Sequence, residues 1–319
     1  MVPEIIDMDM PVEGVFHNLV ITKIKKDYAG QGQKVMNAMW GAGQMMFNKI
    51  LVMTASPNPS KGGAYEESFK INDYLRLAQD VFKNLNPATD IYFSTGPMDV
   101  LDHSCSKLGF GGKMCIDGTK KFEEEVDDSY QLPVAGYQLS EEFIQSKFPE
   151  IKAVNVSLLK KEIPCLIISV EKNRKGHIKE LHEQICALNE IEGIKMILYV
   201  EHTVDANDLP IALWRLCNNL DPKRDSLLYK RPAHNSPVAL NLPEGATHNS
   251  YFACMGFDGT RKTKEFDDFH RDWPNIIVAD DATIKAVDDK WDELGIGPFL
   301  PSPSLKFKEQ MYGEEAVVS

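Results

Sequence analysis

Lys49-Ile50-Leu51-Val52-Met53 and Lys195-Met196-Ile197-Leu198-Tyr199 decide how this chain is read: a lysine opens an unbroken apolar run, and the arrangement returns 146 positions later. A strand with one wet face would alternate, so an apolar residue at every position predicts a strand buried on both faces. The same spacing holds on either side. Pro3-Glu4-Ile5 returns as Pro149-Glu150-Ile151, and Lys26 and Gly30 return as Lys172 and Gly176. Residues 3–56 and 149–202 therefore read as two copies of one β-α-β unit. The register then slips. Leu85-Asn86-Pro87-Ala88-Thr89-Asp90 matches Leu220-Asp221-Pro222-Lys223-Arg224-Asp225 at an offset of 135, so the first copy holds 11 extra residues. They are assigned to Pro57–Ser68, rich in Pro, Gly, Ser and Asn. Asp117-Gly118-Thr119-Lys120-Lys121 matches Asp258-Gly259-Thr260-Arg261-Lys262 at 141, and the second copy regains 6 residues around the loop-like Pro232–His248. This period is far longer than that of solenoid repeats, which points to two similar domains.

Within the first copy, Leu19–Ile24, Ile50–Thr54 and Ile91–Thr95 read as strands. Between them, Val35, Met36, Met39, Trp40, Gly43, Met46 and Phe47, then Tyr74, Leu75, Ala78, Val81, Phe82 and Leu85, follow helical spacing. The second copy repeats the order: strands at Cys165–Val170, Met196–Val200 and Ser226–Tyr229, a helix through Ile178–Leu188, and one capped by Asp208 with Pro210 in its first turn. The predicted fold class is α/β: two similar α/β domains, each a mainly parallel sheet flanked by helices, arising from internal duplication. The expected boundaries are 1–126 for the first domain, 127–147 for a linker with a short helix capped by Ser140, 148–294 for the second copy with a terminal helix, and 295–319 for an extended tail. Ile284, Val287, Trp291 and Leu294 carry the terminal helix.

Composition excludes several function classes. A net charge of −12 on 319 residues would repel a phosphate backbone, so no nucleic-acid partner is expected. No apolar run approaches the ~20 residues of a membrane span. The first residues show neither a basic region nor a long apolar core, so no signal peptide is expected and the chain is placed in the cytoplasm. The six cysteines form no C-x-x-C pair and read as buried thiols of a reducing compartment, without a metal site.

Local motifs offer little chemistry. Gly109-Phe110-Gly111-Gly112-Lys113 comes nearest to a phosphate-binding loop but lacks the P-loop spacing, since Met114 follows the lysine. It reads as a glycine-rich turn with a structural lysine, replaced in the second copy by Phe252-Ala253-Cys254 at the Gly111–Lys113 positions. His17, His103, His202 and His248 are scattered without metal-ligand spacing, and His234 and His248 lie in the second copy's loop insertion. Glu123–Glu125 with Asp127 and Asp128 reads as a solvated acidic run.

Three stretches resemble one family. They are Glu13–Asn18 with Ile24-Lys25-Lys26-Asp27-Tyr28-Ala29-Gly30-Gln31, then Val35–Phe47, then Gly96-Pro97-Met98-Asp99-Val100-Leu101-Asp102-His103 leading to Gly112–Lys121. Together they closely resemble the C-terminal domain of the UbiD-type decarboxylases, which include the 3-polyprenyl-4-hydroxybenzoate decarboxylases of ubiquinone or menaquinone biosynthesis. The second copy resembles the same domain through Val204–Asp208, Trp214, Asp221–Asp225 and the Trp291-Asp292-Glu293-Leu294 core of a terminal helix.

The resemblance implies a prenylated FMN cofactor with a divalent metal in the full-length enzyme, held by an N-terminal flavin-binding domain that also carries a Glu-Arg-Glu constellation. No counterpart of those elements is found here, so no catalytic residue and no cofactor bound by this chain alone are expected. The chain is then a C-terminal fragment or one subunit of a split enzyme. Its expected partners are the flavin-binding domain and further copies of itself in a homo-oligomer. By carry-over, Met46, Gly96, Pro97 and Met98 match positions lining the aromatic part of the family's substrate cavity, with Lys113 beside them. Thioether side chains suit a flat aromatic acid. Met46 also reads as plain core on its helix face, which is the simpler reading of its spacing.

Three readings follow. One is the C-terminal part of a hydroxybenzoate-type decarboxylase, inactive alone, that shapes the cavity and holds subunits together. A second is a non-enzymatic assembly module. A third, an unrelated doubly wound nucleotide binder, rests on fold analogy and lacks the glycine-rich fingerprints.

Overall fold

The computed structural model describes residues 2–15, 17–56, 69–130, 139–233, 251–311 and 317–318. The loop insertions read at Pro57–Ser68 and around Pro232–His248, with His234 and His248, lie wholly or largely outside these residues, as does the middle of the expected linker.

Two five-stranded mixed sheets repeat one topology. In the first copy the elements are β1 (Ile5–Asp9), β2 (Leu19–Lys25), α1 (Gln31–Trp40), β3 (Ile50–Ser56), α2 (Tyr74–Asn84), β4 (Ile91–Pro97) and β5 (Phe110–Asp117). The short α3 (Glu141–Lys147) follows, capped by Ser140 as its sequence predicts. The second copy holds β6 (Ile151–Asn155), β7 (Cys165–Val170), α4 (His177–Cys186), β8 (Met196–Glu201), α5 (Leu209–Asn219), α6 (Pro222–Asp225), β9 (Ser226–Pro232) and β10 (Tyr251–Asp258), with α7 (Lys264–Asp267) after it. The strand orders are β1-β2-β3-β5-β4 and β6-β7-β8-β10-β9.

The three central strands of each sheet are parallel and both edges are antiparallel. The parallelism expected from the β-α-β-α-β order therefore holds only at the centre. The last strand of that order, β4 or β9, turns back along β5 or β10 as a hairpin arm. The first of these central strands, β5, was hidden in sequence because Gly111 and Gly112 look like a turn.

Alternation along the strands explains the apolar runs. Leu19, Ile21, Ile50 and Met114 from the first sheet share one core with Cys165, Met196, Leu216 and Phe257 from the second copy. Val20, Leu51, Met53 and Cys115 point the other way, under Val35, Met36 and Met39 of α1. Leu166, Ile168, Ile197 and Cys254 do the same under Ile178, Leu181 and Ile185 of α4. Each sheet thus has an outer face covered by its own helix and an inner face packed in a core common to both copies.

Equivalent positions do equivalent work. Gly30 and Gly176 precede α1 and α4 at φ 78° and 73°, in the left-handed region that favours glycine. Lys26 donates to Glu125 at 2.7 Å and Lys172 to Asp267 at 2.7 Å. Asp73 and Asp208 cap α2 and α5 through the Arg76 and Ile211 amides, each at 3.2 Å. The acidic run is not merely solvated: Glu125 also accepts from the Gly30 amide, and Asp127 accepts from the Tyr251 hydroxyl at 2.6 Å.

By contacts, Met1–Arg271 form one compact unit and Asp272–Ser319 another. In the latter, the expected terminal helix is two short ones, α8 (Asp281–Asp288) and α9 (Trp291–Leu294). A 3-10 run covers Pro303–Gln310 in what reads as an extended tail, and β11 (Val278–Ala279) pairs in parallel with β12 (Val317–Val318). Among the described residues no helix is long and apolar enough to cross a membrane.

Candidate functional site

The five residues singled out from sequence do come together. The β4–β5 register sets Gly96 opposite Gly111, Ser94 opposite Lys113 and Pro97 opposite Phe110. Lys113 lies on the outer face of the sheet, 2% exposed, and donates to the carbonyls of Met46 and, at 2.9 Å, Asn48. Its aliphatic stem passes Gly96, where a Cβ would stand 3.1 Å from the lysine Cε. Met46 sits half-buried in a 3-10 turn, Gly43–Phe47, after α1 rather than at the end of the helix. Gly96 and Pro97 end β4 instead of forming a loop, and Met98 beyond them is buried. Burial pushes the Lys113 amine down to about 8. His17 flanks this wall, 3.4 Å from the Asp99 carboxylate and with its ring tilted against Phe47.

The reading of Gly109–Lys113 as a turn is corrected. Only Gly109 turns, at φ 70°, and the rest is central strand β5. Gly112 is there for the second copy, while a Cβ on Gly111 would first meet the Cys105 sulfur of its own copy. Asp221 reaches Gly112, whose amide donates to it at 3.2 Å, while the same carboxylate caps α6 by accepting from the Lys223 and Arg224 amides. A Cβ on Gly112 would come within 2.6 Å of the Lys223 amide nitrogen. A carboxylate seated on the glycines and an amine turned to two carbonyls do not fit a flavin phosphate.

Below this wall, the segment Asp102–Ser106 is bound into the second copy. Lys49, fully buried, pairs with Asp102 at 2.8 Å and reaches the Asn218 carbonyl at the end of α5. Ser104 donates to Asp102 or to the Leu220 carbonyl, and Arg224 and Arg271 donate to the carbonyls of Ser104 and Cys105. His103 lies 3.2 Å from the Asn219 side-chain oxygen, and burial lowers it to about 4, so its imidazole is neutral at pH 7. Sequence reading missed this network because its partners across the two copies lie more than a hundred residues apart.

The mirror contact exists. Lys195, the counterpart of Lys49, donates to the carbonyls of Phe82 and, at 2.7 Å, Leu85 at the end of α2. Each copy's buried lysine thus holds the C-terminal end of a helix in the other, the side of the helix dipole that favours a cation. Between the two sheets lies a cavity of about 280 Å³, lined by apolar side chains including Leu19, Ile50, Leu77, Met196, Leu216 and Phe257. Neither Met46 nor Met98 lines it.

Comparison with known proteins gives these residues a context. The C-terminal domain of 3-octaprenyl-4-hydroxybenzoate carboxy-lyase matches residues 1–118 and 135–258. An uncharacterised protein of Helicobacter pylori strain J99 is 31% identical over 233 residues, 72% of this chain and 34% of the relative. Another from Archaeoglobus fulgidus is 39% identical over 124 residues, 39% of this chain and 24% of the relative. The chain thus spans about a third or less of the length of these relatives. Among solved structures, the closed form of vanillic acid decarboxylase from Sedimentibacter hydroxybenzoicus aligns with 60% of this chain and 39% of its own, at 14% identity and a TM-score of 0.38. The UbiD-class enzyme HmfF from Pelotomaculum thermopropionicum, in complex with FMN, aligns with 42% and 28%, at 19% identity and a TM-score of 0.30.

Proposed function

Since the chain belongs to the UbiD family of carboxy-lyases, whose C-terminal domain it carries twice, we propose that it is the C-terminal part of a prenylated-FMN-dependent decarboxylase of hydroxybenzoate-type acids. The observation that carries this reading is the tandem family match over 1–118 and 135–258. In this reading Met46 and Met98 with Gly96 and Pro97 supply the apolar wall against which an aromatic acid lies. Lys113 is the positioning residue that fixes the Met46 turn against β4. The flavin, on a separate domain or subunit, supplies the electron sink. The work takes place in the cytoplasm, in a homo-oligomer, on the route to a quinone. For the two copies we propose the bounds 1–126 and 148–294.

The test is reconstitution. This chain with prenylated FMN alone should release no CO2 from a panel of hydroxybenzoates, and addition of the family's flavin-binding domain should restore release. CO2 from the isolated chain would overturn the division of labour. Met98→Lys should abolish turnover in the reconstituted enzyme.

A second reading, an assembly module, is favoured by the reciprocal Lys49 and Lys195 contacts, which use equivalent buried lysines to hold the copies together. It predicts oligomers by light scattering and no effect of Met98 substitutions on turnover.

A further inference from the structure

His182 and Cys186 lie one turn apart on α4, on the side that faces the sheet, and Cys254 rises from β10 to meet them. One ligand atom from each of the three lies within 4.8 Å of the others, and all three residues are at most 1% exposed. The Cys186 sulfur faces the His182 ring, 3.7 Å from both Nδ1 and Nε2. Thiolate and imidazole ligands bound at the usual zinc distances of ~2.3 and ~2.05 Å, with angles between tetrahedral and trigonal, stand about 3.6–3.8 Å apart. His182 Nδ1 lies 3.0 Å from the Tyr199 hydroxyl, the outer partner that fixes which imidazole nitrogen is free to bind. The ring has room because Gly256 stands beneath it: a Cβ there would be 2.7 Å from Nδ1.

From this juxtaposition the geometry points to a buried structural metal site: His182 Nε2, Cys186 Sγ and Cys254 Sγ hold one thiophilic d10 cation, zinc(II) or copper(I), pinning α4 to β10. Two thiolates and a neutral imidazole are the donors such ions prefer. With zinc(II) the two thiolate charges cancel, which an apolar core tolerates. Copper(I) is satisfied by three ligands. The first copy cannot bind in this way, since Met36, Trp40 and Lys113 stand at the corresponding positions. The signal in sequence was the His-x-x-x-Cys spacing on a predicted helix, which an inventory of cysteine pairs passes over.

The 319-residue chain, purified under thiol reductant and stripped with chelator, should bind one Co2+ per chain with a thiolate-to-cobalt charge-transfer band. Zinc should displace it, and a competing cuprous chelator complex shows whether copper(I) binds more tightly. Metal should raise the melting temperature by several degrees. Cys254→Ala and His182→Met should bind at least tenfold more weakly and melt like the stripped wild type. Absence of the band in the reduced wild-type chain, or equal binding by these variants, would overturn the site. Should the variants fail to fold, the wild-type cobalt spectrum decides.

Discussion

The outer faces of the two sheets began as one surface and now differ in kind. Under α1, the first copy sets Lys113 among the carbonyls of Met46 and Asn48, beside Gly96. Under α4, the second copy sets Cys254 at the matching strand position, facing His182 and Cys186. The inner faces have stayed alike, with apolar residues at matched positions of both sheets in one core. Each copy must bury its inner face against the other, so a change there disturbs both halves. An outer face answers only to its own helix and was free to specialise.

The contrast is open to tests, of which the strongest is steric. Gly112→Val would drive a side chain into Asp221 and the Lys223 amide, unseating α6; we expect a loss of about 4 kcal/mol or more in chemical denaturation. The matching change in the second copy, Ala253→Gly, removes only a methyl and should cost about 1 kcal/mol. Equal losses would show that the two strands are used alike.

The lysines come next. Lys49→Met strands the Asp102 carboxylate at 1% exposure without its cation, for an expected loss of about 3–5 kcal/mol. Lys195→Met leaves only carbonyls without a donor, for about 1–3 kcal/mol. A larger loss at Lys195 would invert this ranking.

Lys195 also gives a pH signature. Burial holds its amine down at about 8, below the ~10.4 of an unfolded chain. Between those values the unfolded state binds more protons, so stability rises as pH is raised through that window and is lowest below it. Lys195→Met should flatten the rise by up to about 1.4 kcal/mol per pH unit in urea melts at pH 8–10. An unchanged slope would show that the amine is not titrating in the fold.

The smallest effect should be symmetric. Asp73→Ala and Asp208→Ala each remove one cap and should each cost about 1 kcal/mol by the same denaturation measurement.

Much of the scaffold was legible because repetition doubles each signal. The lysine-headed apolar runs, the glycines ahead of α1 and α4, and the caps Ser140 and Asp208 all stand where their residue types predict. What stayed hidden is long-range. Gly109–Lys113 reads as a glycine-rich turn until Asp221, over a hundred residues away, explains why no side chain fits at Gly112. The half-parallel sheets were hidden because element order is silent about an edge strand that doubles back. Met46, Gly96, Pro97, Met98 and Lys113 were found through family likeness, and their proximity follows from the β4–β5 pairing, which no local pattern announces.

The reciprocal lysines have an evolutionary consequence. Two identical subunits meeting about a two-fold axis must make every contact twice, so any substitution strikes both sides of the interface at once. Joined in one chain, the halves meet at the high effective concentration of a tether, and each substitution falls on one side only. Fusion thus gave the interface spare strength and released each half from resembling its twin, which is the condition under which one could keep a wall of methionines while the other gathered two thiols and an imidazole.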